Sequence, residues 1–123
     1  MNPLISIIIP VYNDYKGLQD TLESLINQNF PHNRYEIIIA DNGSTDGTIQ
    51  IAKQYIEKHP DIIRFVSEDK VQSSYAARNK GISISRGEIL SFIDADMTVD
   101  KDWIENIVQS LEKSQSDCIV CNV

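Results

Sequence analysis

With 123 residues, 41% of them hydrophobic and 24% charged, the chain has the make-up of one soluble domain with a single core. Its formal charge of −7 comes with lysines and arginines scattered singly, which excludes a basic face for a nucleic-acid backbone and leaves an anionic ligand in need of a cation. The N-terminus lacks a secretory pattern and no apolar run reaches membrane-spanning length, so the expected address is the cytoplasm, at most peripheral to the cytoplasmic membrane face.

The first predicted element is an isoleucine-rich strand, Leu4 to Pro10, followed by helical spacing over Lys16 to Gln28 with Leu18, Leu22, Leu25 and Ile26 on one stripe. Tyr35 to Asp41 reads as a second buried strand, Thr48 to His59 as a helix carrying Ile49, Ala52 and Ile56, and Ile62 to Ser67 as a third strand. A third helix spans Ser74 to Ser85 and a fourth strand Glu88 to Ile93. A fourth helix covers about Asp100 to Ser114, and Asp117 to Val123 begins a fifth strand. Asp46 is placed to cap the second helix, and Pro60 and Gly87 punctuate after helices two and three.

Strict alternation of strand and helix predicts a three-layer α/β/α unit around a mostly parallel, twisted sheet with right-handed crossovers. No repeat or linker divides residues 1–123, which read as a single domain. Cys118 and Cys121 form a C-x-x-C inside an apolar run, where strand positions three apart face opposite sides; buried thiols are expected there, not a metal or disulfide pair. His32 and His59 each stand beside a proline and read as structural, and Trp103 as packing for the fourth helix.

In an open parallel sheet the ligand sits at the carboxyl ends of the strands, where the strand order reverses. Three such ends carry unusual residues here. The fourth strand delivers Asp94-Ala95-Asp96, two carboxylates that repel unless neutralised; a hard divalent cation completed by phosphate oxygens suits them, and a solvated capping turn is the plain alternative. After the first strand, Tyr12 offers an aromatic face to a base or packs at the rim, while Asn13 and Asp14 are also natural caps for the first helix. After the second, Asp41 can accept from a base N–H or a ribose hydroxyl, or its glycine-containing loop is purely structural. That loop fails the test for a calcium site, having Gly43 at its third position and no glutamate at its twelfth. Asn42-Gly43-Ser44 is a glycosylation sequon of little meaning without a secretory signal. Arg78, in the small-residue start of the third helix, faces a nucleotide or is a surface charge.

Together these ends form a recognisable set. Ser6-Ile7-Ile8-Ile9-Pro10-Val11-Tyr12-Asn13, the run Asp41 to Thr48, Ala77-Arg78-Asn79-Lys80-Gly81 and Phe92-Ile93-Asp94-Ala95-Asp96 stand in the order and spacing of the family 2 glycosyltransferases, which the sequence resembles over nearly its whole length. The resemblance implies the GT-A fold, with its Rossmann-like nucleotide-binding half. It implies that Pro10 and Tyr12 line the base pocket with Asn13 among the nucleotide-binding residues, and that Asp41 reads the base, commonly uracil. It also implies that Arg78 supports the nucleotide, Asp94 contacts ribose or metal-bound water, and Asp96, with Asp94 as a second candidate, ligates Mn²⁺ or Mg²⁺ on the diphosphate.

The implied reaction is inverting transfer from a nucleotide-sugar donor, a UDP-sugar, to an acceptor the sequence does not name, with the general base further along than Val123. A chain stopping there is expected to lack the acceptor part and to self-associate through an uncovered strand edge; a nucleotide-sugar-binding module without turnover is the alternative. A dinucleotide-binding oxidoreductase is a poor rival, since no G-x-G-x-x-G follows the first strand.

Overall fold

The computed structural model describes residues 2–114. They form β1 (Ile5–Val11), α1 (Tyr15–Ile26), a short 3₁₀ turn (His32–Arg34), β2 (Tyr35–Asp41), α2 (Thr48–Lys58), β3 (Ile63–Ser67), α3 (Ser74–Ile84), β4 (Ile89–Phe92) and α4 (Trp103–Ser114). The strands are all parallel, in the order β3-β2-β1-β4. The fifth strand expected at Asp117 to Val123, with Cys118 and Cys121, lies outside the described residues.

Every residue of β1 and β2 is buried, which is why these central strands read as unbroken isoleucine runs with no polar alternation. Pro10 is tolerated in β1 because of where its missing N–H would point. Ile8 accepts from Ile93 on the β4 side, and Pro10, two residues on, faces that side beyond the last paired residues, Ile8 and Phe92.

Two unequal cores flank the sheet. On one face, Ile5, Ile7, Ile9, Ile37 and Ile39 meet Leu18, Leu22 and Leu25 of α1, Ala52 and Tyr55 of α2, and Ile104, Ile107 and Val108 of α4. On the other, Ile8, Ile38 and Ala40 meet Ala77 of α3. That helix lies close to the sheet: a Cβ on Gly81 would stand 2.6 Å from Ile8 Cγ2. Leu90 and Phe92, on the α3 side of β4, remain half-exposed.

At the amino end of the sheet Glu36 is buried among donors. Ser6 Oγ donates at 2.6 Å, the Arg86 N–H at 2.7 Å and Arg64 Nη1 at 3.0 Å. Burial pulls the Glu36 carboxyl up, but these hydrogen bonds and the Arg64 charge outweigh it and hold the group below the usual range. Ser6 Oγ also accepts from Gly87 N–H, so this cluster sets where β4 enters the sheet.

Most expected boundaries shift by one or two residues, and two changes have a visible physical cause. Gly47 occupies the N-cap of α2, and Asp46, one residue earlier, accepts from the Thr48 N–H and hydroxyl. The fourth helix begins at Trp103, not Asp100, because Asp100 C=O is taken by Gln28 Nε2 and by Trp103 N–H, and Gln28 Oε1 caps the Ile104 N–H. His32 accords with a structural role: its ring meets Tyr35 edge-on and Nε2 lies 3.0 Å from the Ile26 carbonyl.

Candidate nucleotide-binding site

Chain order runs outward from β1 through β2 to β3 and then returns to the other side of β1 at β4, so the strand order reverses between β1 and β4. A cleft of about 310 Å³ opens at the carboxyl end of that reversal point. It brings together Pro10 near the end of β1, Tyr12 just after it, Ser74, Ala77 and Arg78 from α3, and Asp94 after β4. The small residues Ser74 and Ala77 leave the space, and the Ser73 hydroxyl starts α3 by accepting from Ala76 N–H.

Asp41 ends β2 beside the lining residue Asn42 and is 1% exposed. Its Oδ2 accepts from the Gly43 and Ser44 N–H groups at 3.0 and 2.9 Å, whereas Oδ1 is buried with no partner among the described residues. A buried oxygen without a donor costs about 1–3 kcal/mol, so this atom is primed for an incoming N–H or O–H. Arg78 Nε is likewise buried without a partner among the described residues, while its Nη2 donates to Asp94 Oδ1 at 3.3 Å.

Asn13, at a φ of 49°, faces the neighbouring loop: its Oδ1 accepts from Thr45 N–H at 2.7 Å and Asp46 N–H at 3.3 Å, and its own N–H donates to Ser44 Oγ. It therefore latches the β1 and β2 loops together. Asp14 is the cap of α1, accepting from Gly17 N–H at 2.9 Å. Asn42, whose sequon was noted above, is buried, and its amide donates to the Glu68 and Val71 carbonyls, pinning the loop between β3 and α3.

Asp94 and Asp96 are exposed on a turn closed by Met97 N–H to Asp94 C=O at 3.2 Å. Asp96 is its third residue, with a φ of 85°, the sign that a type II turn requires and that costs a non-glycine residue about 1 kcal/mol or more. No group of three His, Cys, Asp or Glu able to hold a metal occurs among the described residues. Two hard carboxylates on a solvent-facing turn fit Mg²⁺ or Mn²⁺ completed by phosphate oxygens and water, and do not make an all-protein cage.

Sequence reasoning missed the supports of this turn. Thr21 Oγ1 donates to Met97 C=O at 2.7 Å, Gln28 ties Asp100 and Ile104, and the Asn29 N–H donates to Lys101 C=O at 2.8 Å. The available signal was two polar residues, Thr21 and Gln28, at core-facing positions of the Leu18, Leu22, Leu25 stripe.

An open parallel sheet with Tyr12, Arg78 and the carboxylates of Asp14 and Asp94 around the cleft at its reversal point defines an α/β protein with a candidate ligand site there, while Asp41 and Asp96 lie outside the cleft lining. Residues 6–123 match glycosyl transferase family 2, and the chain belongs to that family. It is 40% identical over 121 residues to glycosyltransferase AglE of Haloferax volcanii, covering 98% of this chain and 40% of that protein. It is 37% identical over 115 residues to a poly(ribitol-phosphate) beta-glucosyltransferase of Bacillus spizizenii, covering 92% of this chain and 18% of the relative. The chain thus spans well under half the length of these relatives.

Among solved structures, the mannosyltransferase PcManGT of Pyrobaculum calidifontis in complex with GDP-Man and Mn²⁺ superimposes with a TM-score of 0.83 at 29% identity, over 90% of this chain and 33% of that one. A fragment of S. aureus TarS in complex with UDP gives 0.81 at 29% identity, over 92% and 33%. The fold is the GT-A fold of these glycosyltransferases. No described helix is long and apolar enough to cross a membrane.

Proposed function

We propose that this chain is the donor-binding part of a glycosyltransferase and takes a UDP-sugar with a divalent cation. The observation that carries the reading is Asp41: one carboxylate oxygen is held by two main-chain N–H groups and the other is buried and unanswered among the described residues, at the carboxyl end of the sheet. One free acceptor matches uracil, which presents a single ring N–H flanked by carbonyls. Guanine offers two adjacent donors and asks for both oxygens, and adenine would turn a ring acceptor toward the carboxylate. Tyr12, 48% exposed at the cleft, supplies a face for the base to stack on.

Arg78 holds the nucleotide from the α3 side and keeps Asp94 oriented, and Asp94 meets ribose or a metal-bound water. Asp96 would hold the cation, with Asp94 the second candidate ligand. A bound Mn²⁺ or Mg²⁺ supplies neutralisation of the diphosphate as the sugar departs. Support for a divalent cation and a nucleotide sugar comes from the neighbours solved with GDP-Man and Mn²⁺ and with UDP. Inversion at the sugar, the acceptor and the general base are assigned to the whole enzyme, the base to chain beyond the residues described.

Calorimetric titration of UDP, CDP, ADP and GDP, with Mn²⁺ and with excess chelator, tests the reading. UDP is expected to bind most tightly and to gain affinity with Mn²⁺. Equal affinities for UDP and the purine diphosphates overturn the base assignment, and UDP binding of unchanged affinity in chelator overturns the metal.

A further inference from the structure

We propose that Thr21, a buried residue of α1 outside the cleft, is the positioning residue that holds Asp96 in its cation-binding conformation; this rests on the donor-binding reading above. Thr21 is fully buried between Leu18 and Leu22, where an aliphatic side chain would pack as well and leave no hydroxyl to satisfy. Its hydroxyl reaches 76 residues along the chain to Met97 C=O, at 2.7 Å.

Met97 is the residue after Asp96 and is bound on both sides. Its N–H closes the turn on Asp94 C=O and its C=O is held by Thr21. A φ of 85° is a conformation that an aspartate visits without being held to it, and with both polar groups of its neighbour engaged the turn holds Asp96 there. The segment that leaves the turn has no slack either, because Gln28 holds Asp100 and Ile104, and Asn29 holds Lys101.

All these anchors belong to α1 or the three residues after it, and α1 starts at the Asp14 cap, two residues from Tyr12. One helix therefore sets the distance between the base end of the cleft and the carboxylate turn. Without the Thr21 hydroxyl, Met97 C=O loses its donor, Asp96 turns to negative φ, and its carboxylate leaves the position from which it meets a cation beside Asp94.

The test compares Thr21→Val, which keeps shape without a donor, with Thr21→Ser, which keeps the donor. UDP affinity is measured calorimetrically on the full chain with Mn²⁺ and with excess chelator, and Asp96 φ is read without nucleotide from its HN–Hα coupling and intraresidue NOE. In Thr21→Val the Mn²⁺-dependent gain should fall about tenfold, the worth of one well-placed hydrogen bond, while affinity in chelator holds within about twofold. Asp96 should leave positive φ in Thr21→Val and keep it in Thr21→Ser, which should also keep the wild-type gain. A full Mn²⁺ gain in Thr21→Val, an equal loss with and without Mn²⁺, or an Asp96 φ that stays positive overturns the proposal. If the wild-type chain shows no Mn²⁺ gain, the metal part of the donor-binding reading fails instead, and Asp96 φ in the two variants still decides whether Thr21 positions that residue.

Discussion

Arg78 and Asp94 meet across the reversal point of the sheet, Nη2 to Oδ1 at 3.3 Å, with side chains 38% and 65% exposed. An ion pair so open to water contributes ~1 kcal/mol or less to stability, so its place in the fold has to be judged by ligand binding. Arg78→Ala is expected to leave the urea midpoint nearly unchanged while lowering UDP affinity about tenfold, through loss of a charge-assisted contact. A large fall in stability with unchanged affinity would make the pair structural.

In the proposed reading Asp41 carries the base preference. In Asp41→Asn the amide must keep its oxygen on the Gly43 and Ser44 N–H groups, which turns its NH₂ toward the place of Oδ1. That presents a donor where uracil also presents a donor. UDP affinity should fall by about tenfold to a hundredfold, and CDP, whose ring nitrogen accepts, should lose less. Paired UDP and CDP titrations check the crossover, and parallel losses for both would count against a base-reading role.

Asp96→Asn should remove most of the Mn²⁺-dependent part of UDP binding while leaving binding in chelator close to wild type. The comparison separates the cation from the base pocket, because the Asp94–Met97 turn and the Asp41 loop share no hydrogen bond among the described residues. Retention of the full Mn²⁺ gain would take the metal role away from Asp96.

Glu36 makes folding acid-sensitive. Its carboxyl is held below the usual value in the folded state, so the folded chain releases this proton more readily than the unfolded chain. The stabilisation is fully present above the ordinary glutamate value and is lost as pH falls below it, through the lower folded value. Urea unfolding between pH 7 and pH 3 should show this loss in wild type and a shallower acid limb in Glu36→Gln. At neutral pH the variant should be less stable by about 1–2 kcal/mol, since Ser6 and the Arg86 N–H lose a charged acceptor while the partly exposed Arg64 and Arg86 side chains turn to water.

Gly81→Ala places a Cβ at 2.6 Å from Ile8 Cγ2 on the thin side of the core. Overpacking at a helix held so close to the sheet should cost about 1–3 kcal/mol by urea denaturation. Because α3 carries Ser74, Ala77 and Arg78 along the cleft, UDP affinity should fall with it. An unchanged midpoint would mean that Ile8 can move aside freely.

The sequence alone determined the alternation of strands and helices, the parallel sheet and the end of it that carries the candidate site. Those follow from local signals: isoleucine runs as long as a strand, the leucine stripe of α1, and polar residues clustered directly after Pro10, Asp41 and Ile93. The family was legible for the same reason, since its motifs are contiguous. Tertiary structure alone decided which side-chain atoms are free and which are spent. Asn13 turned out to be engaged with the β2 loop and Asn42 with the loop after β3, whereas one oxygen of Asp41 was left open. It also decided that Asp96 sits at positive φ and that Thr21 lies against Met97. Contacts between residues so far apart along the chain leave no periodic trace, because they depend on how α1 lies across the sheet, and that is set by packing of the whole core.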